Sequence, residues 1–300
     1  MMNPAIQIEK LTKCYGRTVG IHDVDLQVNT GEIFGYLGPN GAGKTTTIRI
    51  LMDFLRADGG IAKIFGKDCR RKAAELHGEM GYLPGDLALY PRLRVHELLR
   101  FFASLRSGVD WSYVEDLAKR FQCDLDRAVG DLSQGNKQKI GVLQAFMHRP
   151  QLLVLDEPTR GLDPLVRQEF YRLLSEAKDE GRTVFLSSHV LSEVEQICDR
   201  VGIIRDGHIV AVEDVTDLKN RSLREVDIVF KTEVPPGIFR DIPNVENVAV
   251  DGCRLSCRVV GQVDPIIKKI AGLEVVDITS RQPSLQEIFL TFYGVPDHAS

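Results

Sequence analysis

A lysine and a threonine closing a glycine-rich turn are the residues of this chain whose types and spacing most directly specify chemistry. The stretch Gly38-Pro39-Asn40-Gly41-Ala42-Gly43-Lys44-Thr45-Thr46 follows the apolar run Ile33 to Leu37 and leads into a helical pattern over 46–55. Glycines at 38, 41 and 43 permit a tight turn that gathers backbone N–H groups at a helix N-terminus, where phosphate binds. In a loop of this kind Lys44 reaches the terminal phosphates of a nucleotide and the Thr45 hydroxyl holds magnesium. The segment from Gly38 to Thr46, including Pro39, Asn40 and Ala42, is therefore a candidate nucleotide contact.

A second group follows the apolar run Leu152 to Leu155, which ends in Asp156-Glu157-Pro158. Two carboxylates at the carboxyl end of a buried parallel strand stand where open α/β sheets bind ligands. Strand alternation turns neighbouring side chains to opposite faces, which gives the two acids separate tasks. Asp156 is expected to hold magnesium, and Glu157 to orient or deprotonate the water that attacks the γ-phosphate. His189 follows the next apolar run, Thr183 to Ser188, at a third strand end serving the same crevice. Tyr15, in a turn ahead of the loop, is a candidate for stacking on adenine or a hinge filler. Ser133 and Gly135, in Leu132-Ser133-Gln134-Gly135-Asn136, open a further amphipathic run. That helix start can bind an anion, yet Ser133 as an ordinary N-cap is the stronger local reading.

The elements that must carry these groups alternate strand and helix. Strand pieces are read at 6–9, 24–37, 61–66 and 80–84, helices at 95–104, 111–121 and 165–180, and buried strands at 152–155 and 183–188. Asp206-Gly207 marks a hairpin turn. Three hundred residues suggest about two domains, with the first closing near Lys219. Residues 224–293 follow a β-α-β-β-α-β order with helices at 236–240 and 263–270 and a final capped helix over 283–290. This part carries no titratable cluster or glycine-rich loop, which leaves it an accessory role.

A net charge of −4 gives no basic footprint for nucleic acid. The opening MMNPAIQIEK lacks a signal-peptide apolar region and no stretch approaches the length of a membrane span, so a cytoplasmic location is expected. The six cysteines form no CxxC pair and no zinc spacing and read as reduced thiols, with Cys253 and Cys257 on one strand face.

Taken in order along residues 6 to about 215, these motifs resemble the nucleotide-binding subunits of ABC transporters: the loop at 38–45, the signature-like 132–136, the strand ending at Asp156-Glu157, the Gly161-Leu162-Asp163-Pro164 loop and His189. Met80-Gly81-Tyr82-Leu83-Pro84 and the Ser284 to Gly294 tail look like the ATPases of type-2 exporters. The resemblance implies an α/β P-loop NTPase core with an antiparallel β subdomain and a helical subdomain (insert roughly 86–130, subdomain to about 150) over residues 1–219. A small α+β domain over 220–300 completes the chain.

The resemblance further implies a head-to-tail dimer. ATP and Mg2+ held by Lys44, Thr45 and Asp156 of one copy would be closed over by Ser133 and Gly135 of the other, with Tyr15 on adenine, Glu157 as base and His189 on the γ-phosphate. The helical insert would receive a cytoplasmic helix of an integral membrane permease, placing the chain peripherally on the cytoplasmic face of the membrane. Two departures stand out. Gly85 followed by Asp86 replaces the usual Gln after Tyr-Leu-Pro, and Gln134 and Asn136 alter the signature. The competing reading is a soluble switch of the same superfamily acting on ribosomes or DNA, although neither a second ATPase unit nor a basic segment is present in the sequence. A weakly catalytic subunit is a third reading, because of Gly85.

Overall fold

The computed structural model describes residues 4–281, apart from 17, 107, 222, 236, 238–241, 243–244 and 261–262. The helix expected over 283–290, and most of the one expected over 236–240, lie outside the described residues. The chain forms two compact units that divide between Glu213 and Asp214.

In the first unit, β1 (Ile6–Tyr15) and β2 (Thr18–Val28) form a hairpin, followed by β3 (Ile33–Leu37) and α1 (Lys44–Leu51). Next come β4 (Gly59–Ile64), β5 (Lys67–Asp68), α2 (Ala73–Glu79) and β6 (Met80–Leu83). Helices α3 (Val95–Ser104), α4 (Trp111–Arg120) and α5 (Gln134–Phe146) form the insert. The chain returns through β7 (Leu152–Asp156), α6 (Pro164–Asp179), β8 (Thr183–Ser188), α7 (Leu191–Ile197), β9 (Arg200–Arg205) and β10 (His208–Asp214).

Two sheets result. An antiparallel one runs β2-β1-β4-β5, and a six-stranded one runs β10-β9-β3-β8-β7-β6. Every residue of β3, β7 and β8 is buried, as parallel strands covered on both faces must be. Their register pairs Leu37 with Ser188 and Asp156 with Ser187. The three carboxyl ends, and the loops leaving them, therefore lie side by side along one edge of the sheet. Asp206 and Gly207 both adopt positive φ, the geometry of a tight hairpin turn whose twist suits the strands it joins.

Two of the boundaries that differ from the sequence pattern do so for clear local reasons. The alternation of β1 is legible only at its start because three register shifts break its pairing with β2, and Lys10 and Asp23 take left-handed backbone. Helix α1 stops at Leu51 instead of running to 55. Asp53 has φ of 51°, and the N–H groups of Phe54 and Leu55 both turn back to the Arg49 carbonyl, at 2.8 and 3.1 Å. The insert is fastened to the core by Arg120, which reaches from α4 to Glu169 (2.6 Å) and Glu176 (2.8 Å) on α6.

The second unit contains α8 (Val215–Arg221), β11 (Leu223–Phe230), β12 (Val245–Asp251), β13 (Arg254–Val260), α9 (Asp264–Ile270) and β14 (Val275–Arg281). Its sheet order, β12-β13-β11-β14, is antiparallel throughout. Inserting β13 between β11 and β12 is the hallmark of the split arrangement. Val226, Ile228, Leu255, Val259 and Ile266 build its own core. Cys257 joins that core, whereas Cys253 falls in the turn before β13 and not on the same strand face; all six cysteines are free.

Candidate active site

The glycine positions of the loop are dictated by what surrounds them. Gly43 has φ of 109°, and a Cβ there would lie 2.5 Å from Ile21 Cγ2 and 2.7 Å from the Gly20 carbonyl. A Cβ at Gly38 would come within 2.3 Å of the Ile204 carbonyl. The loop is thus wedged between β2 and β9, and Gly207 N–H ties it further through the Ala42 carbonyl at 3.1 Å. Among the described residues, the N–H groups of Gly41, Gly43, Lys44 and Thr45 take no backbone acceptor. They form a row of donors at the start of α1, where the helix dipole favours an anion.

A cleft of about 630 Å³ opens on this row. Pro39, Asn40, Gly41, Gly43, Lys44, Thr45, Thr46, Asp156, Glu157 and His189 all line it. Lys44 is only 5% exposed, and its ammonium donates to the carbonyls of Gly38 (2.6 Å) and Pro39 (3.1 Å) and lies 3.4 Å from Glu157 Oε1. A buried ammonium needs this much compensation. The Thr45 hydroxyl donates to Asp156 Oδ2 at 2.9 Å. Asp156, 1% exposed, also accepts from the Ser187 hydroxyl at 2.5 Å. Ser187 in turn accepts the Glu157 N–H at 3.0 Å.

Glu157 and His189 form the second pair, with Nδ1 of the imidazole 2.7 Å from Glu157 Oε2. Alternation along β7 predicts opposite directions for Asp156 and Glu157, yet both line the same cleft. The reason is that β7 ends at Asp156 and Glu157 takes φ of 50°, which resets the direction of its side chain. Left-handed backbone in a residue with a Cβ costs about 1 kcal/mol, and such strain clusters at functional sites. The Ser187 hydroxyl is the group that holds it.

The remaining candidates fall elsewhere. Gly38 and Ala42 belong to the loop's back. Tyr15 is 48% exposed and does not line the cleft wall; its hydroxyl lies 3.4 Å from Thr46 Oγ1, at the edge of the loop. Ser133 and Gly135 do not line the cleft. Ser133 caps α5, accepting from Asn136 N–H at 3.3 Å, and Gly135 abuts Gly161, whose carbonyl would meet a Cβ at 2.4 Å.

Several contributors were not marked by the motif spacing. Ser187 binds both acidic residues, and its one signal is a pair of serines ending an otherwise apolar strand. Glu193, 5% exposed, accepts from Thr159 (2.6 Å) and Ser188 (3.0 Å), so it joins the loops after β7 and β8 from behind. Arg49, Tyr82, Pro84, Gly85, Asp86 and Arg160 complete the wall. Burial, aided by the Asp156 carboxylate, raises the Tyr82 phenol to about 12, so it is neutral at physiological pH.

Chemically, the cleft offers a backbone anion cradle, a buried ammonium, a hydroxyl and a carboxylate suited to a hard divalent cation, and a second carboxylate paired with an imidazole. Among the described residues no helix is long and apolar enough to cross a membrane.

The model of the ABC transporter family matches residues 21–160. The chain is 33% identical over 302 residues to the bacitracin transport ATP-binding protein BcrA of Bacillus licheniformis, covering 98% of each chain. It is 37% identical over 76% of each chain to the protein of that name from Enterococcus faecalis. A solved ATP-binding subunit of an ABC transporter superposes with a TM-score of 0.67 at 29% identity, over 72% of this chain and 92% of that one. With the cleft, the strand order and these relatives agreeing, the chain belongs to the family of ABC transporter ATP-binding proteins.

Proposed function

We propose that this chain binds Mg·ATP in the Lys44 cleft, hydrolyses it, and uses the cycle to drive export through a separate membrane subunit. The carrying observation is that Lys44, Thr45, Asp156, Glu157 and His189, drawn from three strand ends, line one cleft.

Thr45 Oγ1 and the Asp156 carboxylate, 2.9 Å apart, are hard oxygen donors of the kind magnesium takes, and they would hold it beside the phosphates. The ion would supply charge neutralisation at the β- and γ-phosphates. The N–H row of α1 and the Lys44 ammonium bind and orient the phosphates. Glu157, with Oε2 hydrogen-bonded to His189, accepts a proton from the attacking water, and His189 holds the carboxylate and contacts the γ-phosphate. The Lys44 ammonium contacts the Gly38 and Pro39 carbonyls and Glu157. Phosphate would replace those partners and release Glu157 to its task.

Ser133 and Gly135 lie outside this cleft, at an exposed helix start, which supports their use on the nucleotide of a second copy in a head-to-tail dimer. Tyr15 at the loop's edge is assigned to the adenine. The permease would dock on exposed aromatics: Phe54, 5.5 Å from Tyr82 ring to ring, and Tyr90, 5.9 Å from Phe101. In sequence these clusters flank Pro84-Gly85, so the partner would feel the cleft directly. This assigns the protein to the cytoplasmic face of the membrane, and the names of its two bacitracin-transport relatives make an antibiotic a cargo to test. The unit from Asp214 onward is accessory.

Replacing Glu157 with Gln tests this reading. ATP turnover should fall by about 10²–10⁴-fold while nucleotide affinity stays within about twofold. Unchanged turnover would remove Glu157 as the base.

A further inference from the structure

Resting on the nucleotide reading above, we propose that Asp86 and Arg160 form a charge-exchange sensor for metal-bound nucleotide, standing in for the side chain that this protein lacks at position 85. A Cβ on Gly85 would lie 3.2 Å from Asp156 Oδ2, so the backbone there abuts the carboxylate assigned to the cation without offering it a ligand. The next residue, Asp86, lines the same cleft and sits 3.8 Å from the Arg160 guanidinium, which also lines it. Arg160 belongs to the loop after β7, and its N–H donates to the Glu157 carbonyl at 3.2 Å. The pair thus bridges the loops that leave the neighbouring parallel strands β6 and β7.

The bridge is built to be exchanged. Both side chains are largely exposed, at 68% for Arg160 and 89% for Asp86, and an ion pair of this length in water contributes little. Nucleotide carrying a divalent cation brings a better partner for each. A guanidinium binds phosphate oxygens in preference to a single carboxylate at this distance, and a carboxylate serves a hard cation or its bound water. Arg160 would then pair with phosphate, and Asp86 would be free to serve the cation or its bound water. Metal-free nucleotide satisfies only Arg160. Because the segment after Asp86 leads to Tyr90, the exchange alters the surface proposed for the permease.

The test is titration calorimetry on the full chain with a non-hydrolysable ATP analogue, in Mg2+ and in EDTA. Asp86→Asn should weaken binding about five- to tenfold in Mg2+ and leave it unchanged or tighter in EDTA, as expected for one lost charged contact. Arg160→Gln should weaken both about equally, and Asp86→Glu should restore the metal dependence. The combined variant should lose less than the product of the two, since the residues are coupled. Equal weakening in both conditions by Asp86→Asn, or none in either, overturns the proposal. Lys44→Ala separates the two readings: if it binds the analogue as tightly as the parent, the nucleotide site itself is misassigned, whereas its loss of binding with an inert Asp86→Asn refutes the sensor alone. Asp86 is exposed enough that the melting temperature without nucleotide should not move.

Discussion

Replacing Ser187 with alanine removes one hydroxyl that two acidic residues depend on. Its Oγ donates to Asp156 Oδ1 at 2.5 Å and accepts the Glu157 N–H at 3.0 Å, and the serine is completely buried. A hydrogen bond to an ionised carboxylate contributes about 1.5–3 kcal/mol, and an N–H left without a partner costs about 1–3 kcal/mol when water cannot reach it. The cleft lets water reach Glu157 in part, so the sum expected for Ser187→Ala is about 3 kcal/mol of lost stability. Turnover should fall as well, because the freed backbone at Glu157 relaxes from its φ of 50° and carries the carboxylate away from His189. Urea unfolding followed by fluorescence reads the right unit, since Trp111 is the only tryptophan and lies in α4. Running it without nucleotide keeps binding from masking the loss. A Ser187→Ala variant within about 0.5 kcal/mol of the parent, with unchanged turnover, would refute the idea that this hydroxyl fixes the proposed catalytic base.

Other expectations follow from single contacts. Gly43→Ala should abolish nucleotide binding, measured by calorimetry, because its Cβ would meet Ile21 and the Gly20 carbonyl at 2.5 and 2.7 Å in a backbone conformation that L residues rarely adopt. Burial, reinforced by the Arg106 guanidinium, pushes His148 down to about 4. The unfolded chain, with an ordinary imidazole near 6.5, then binds the extra proton first, so this residue's contribution is intact above about pH 6.5 and declines toward pH 4. A pH series of urea midpoints should show a shallower acid slope for His148→Asn, and an identical slope would contradict the assignment. Tyr90→Ser combined with Phe54→Ser should leave intrinsic ATP turnover within about twofold while reducing co-purification with the proposed permease, since these rings lie outside the reacting groups.

How much of this was legible follows from the physics of each piece. Asp156 and His189 announce themselves because buried apolar runs end abruptly in polar groups at strand termini, and Lys44 and Thr45 because the glycine spacing ahead of them marks a phosphate loop. The insert helices α3 and α4 were readable to within a residue or so because their apolar faces repeat at helical spacing. Strand β1 was not, since bulges interrupt its alternation. The direction of Glu157 was also beyond sequence reasoning: alternation holds only within extended backbone, and one left-handed residue suspends it. Ser187, Glu193 and Arg160 act through contacts 30 or more residues away or across a cleft. Serine, glutamate and arginine at such places look like ordinary polar positions until the strands are brought together.

The central claim is that one cleft of this chain cradles a triphosphate and needs a second copy to close over it. Light scattering on the Glu157→Gln variant tests it most directly. ATP with Mg2+ should convert the protein from monomer to dimer while ADP leaves it monomeric, and Ser133→Arg should block the conversion without weakening ATP binding to the monomer. A Glu157→Gln protein that binds ATP yet stays monomeric at every concentration examined, or dimerises equally with ADP, would contradict the account.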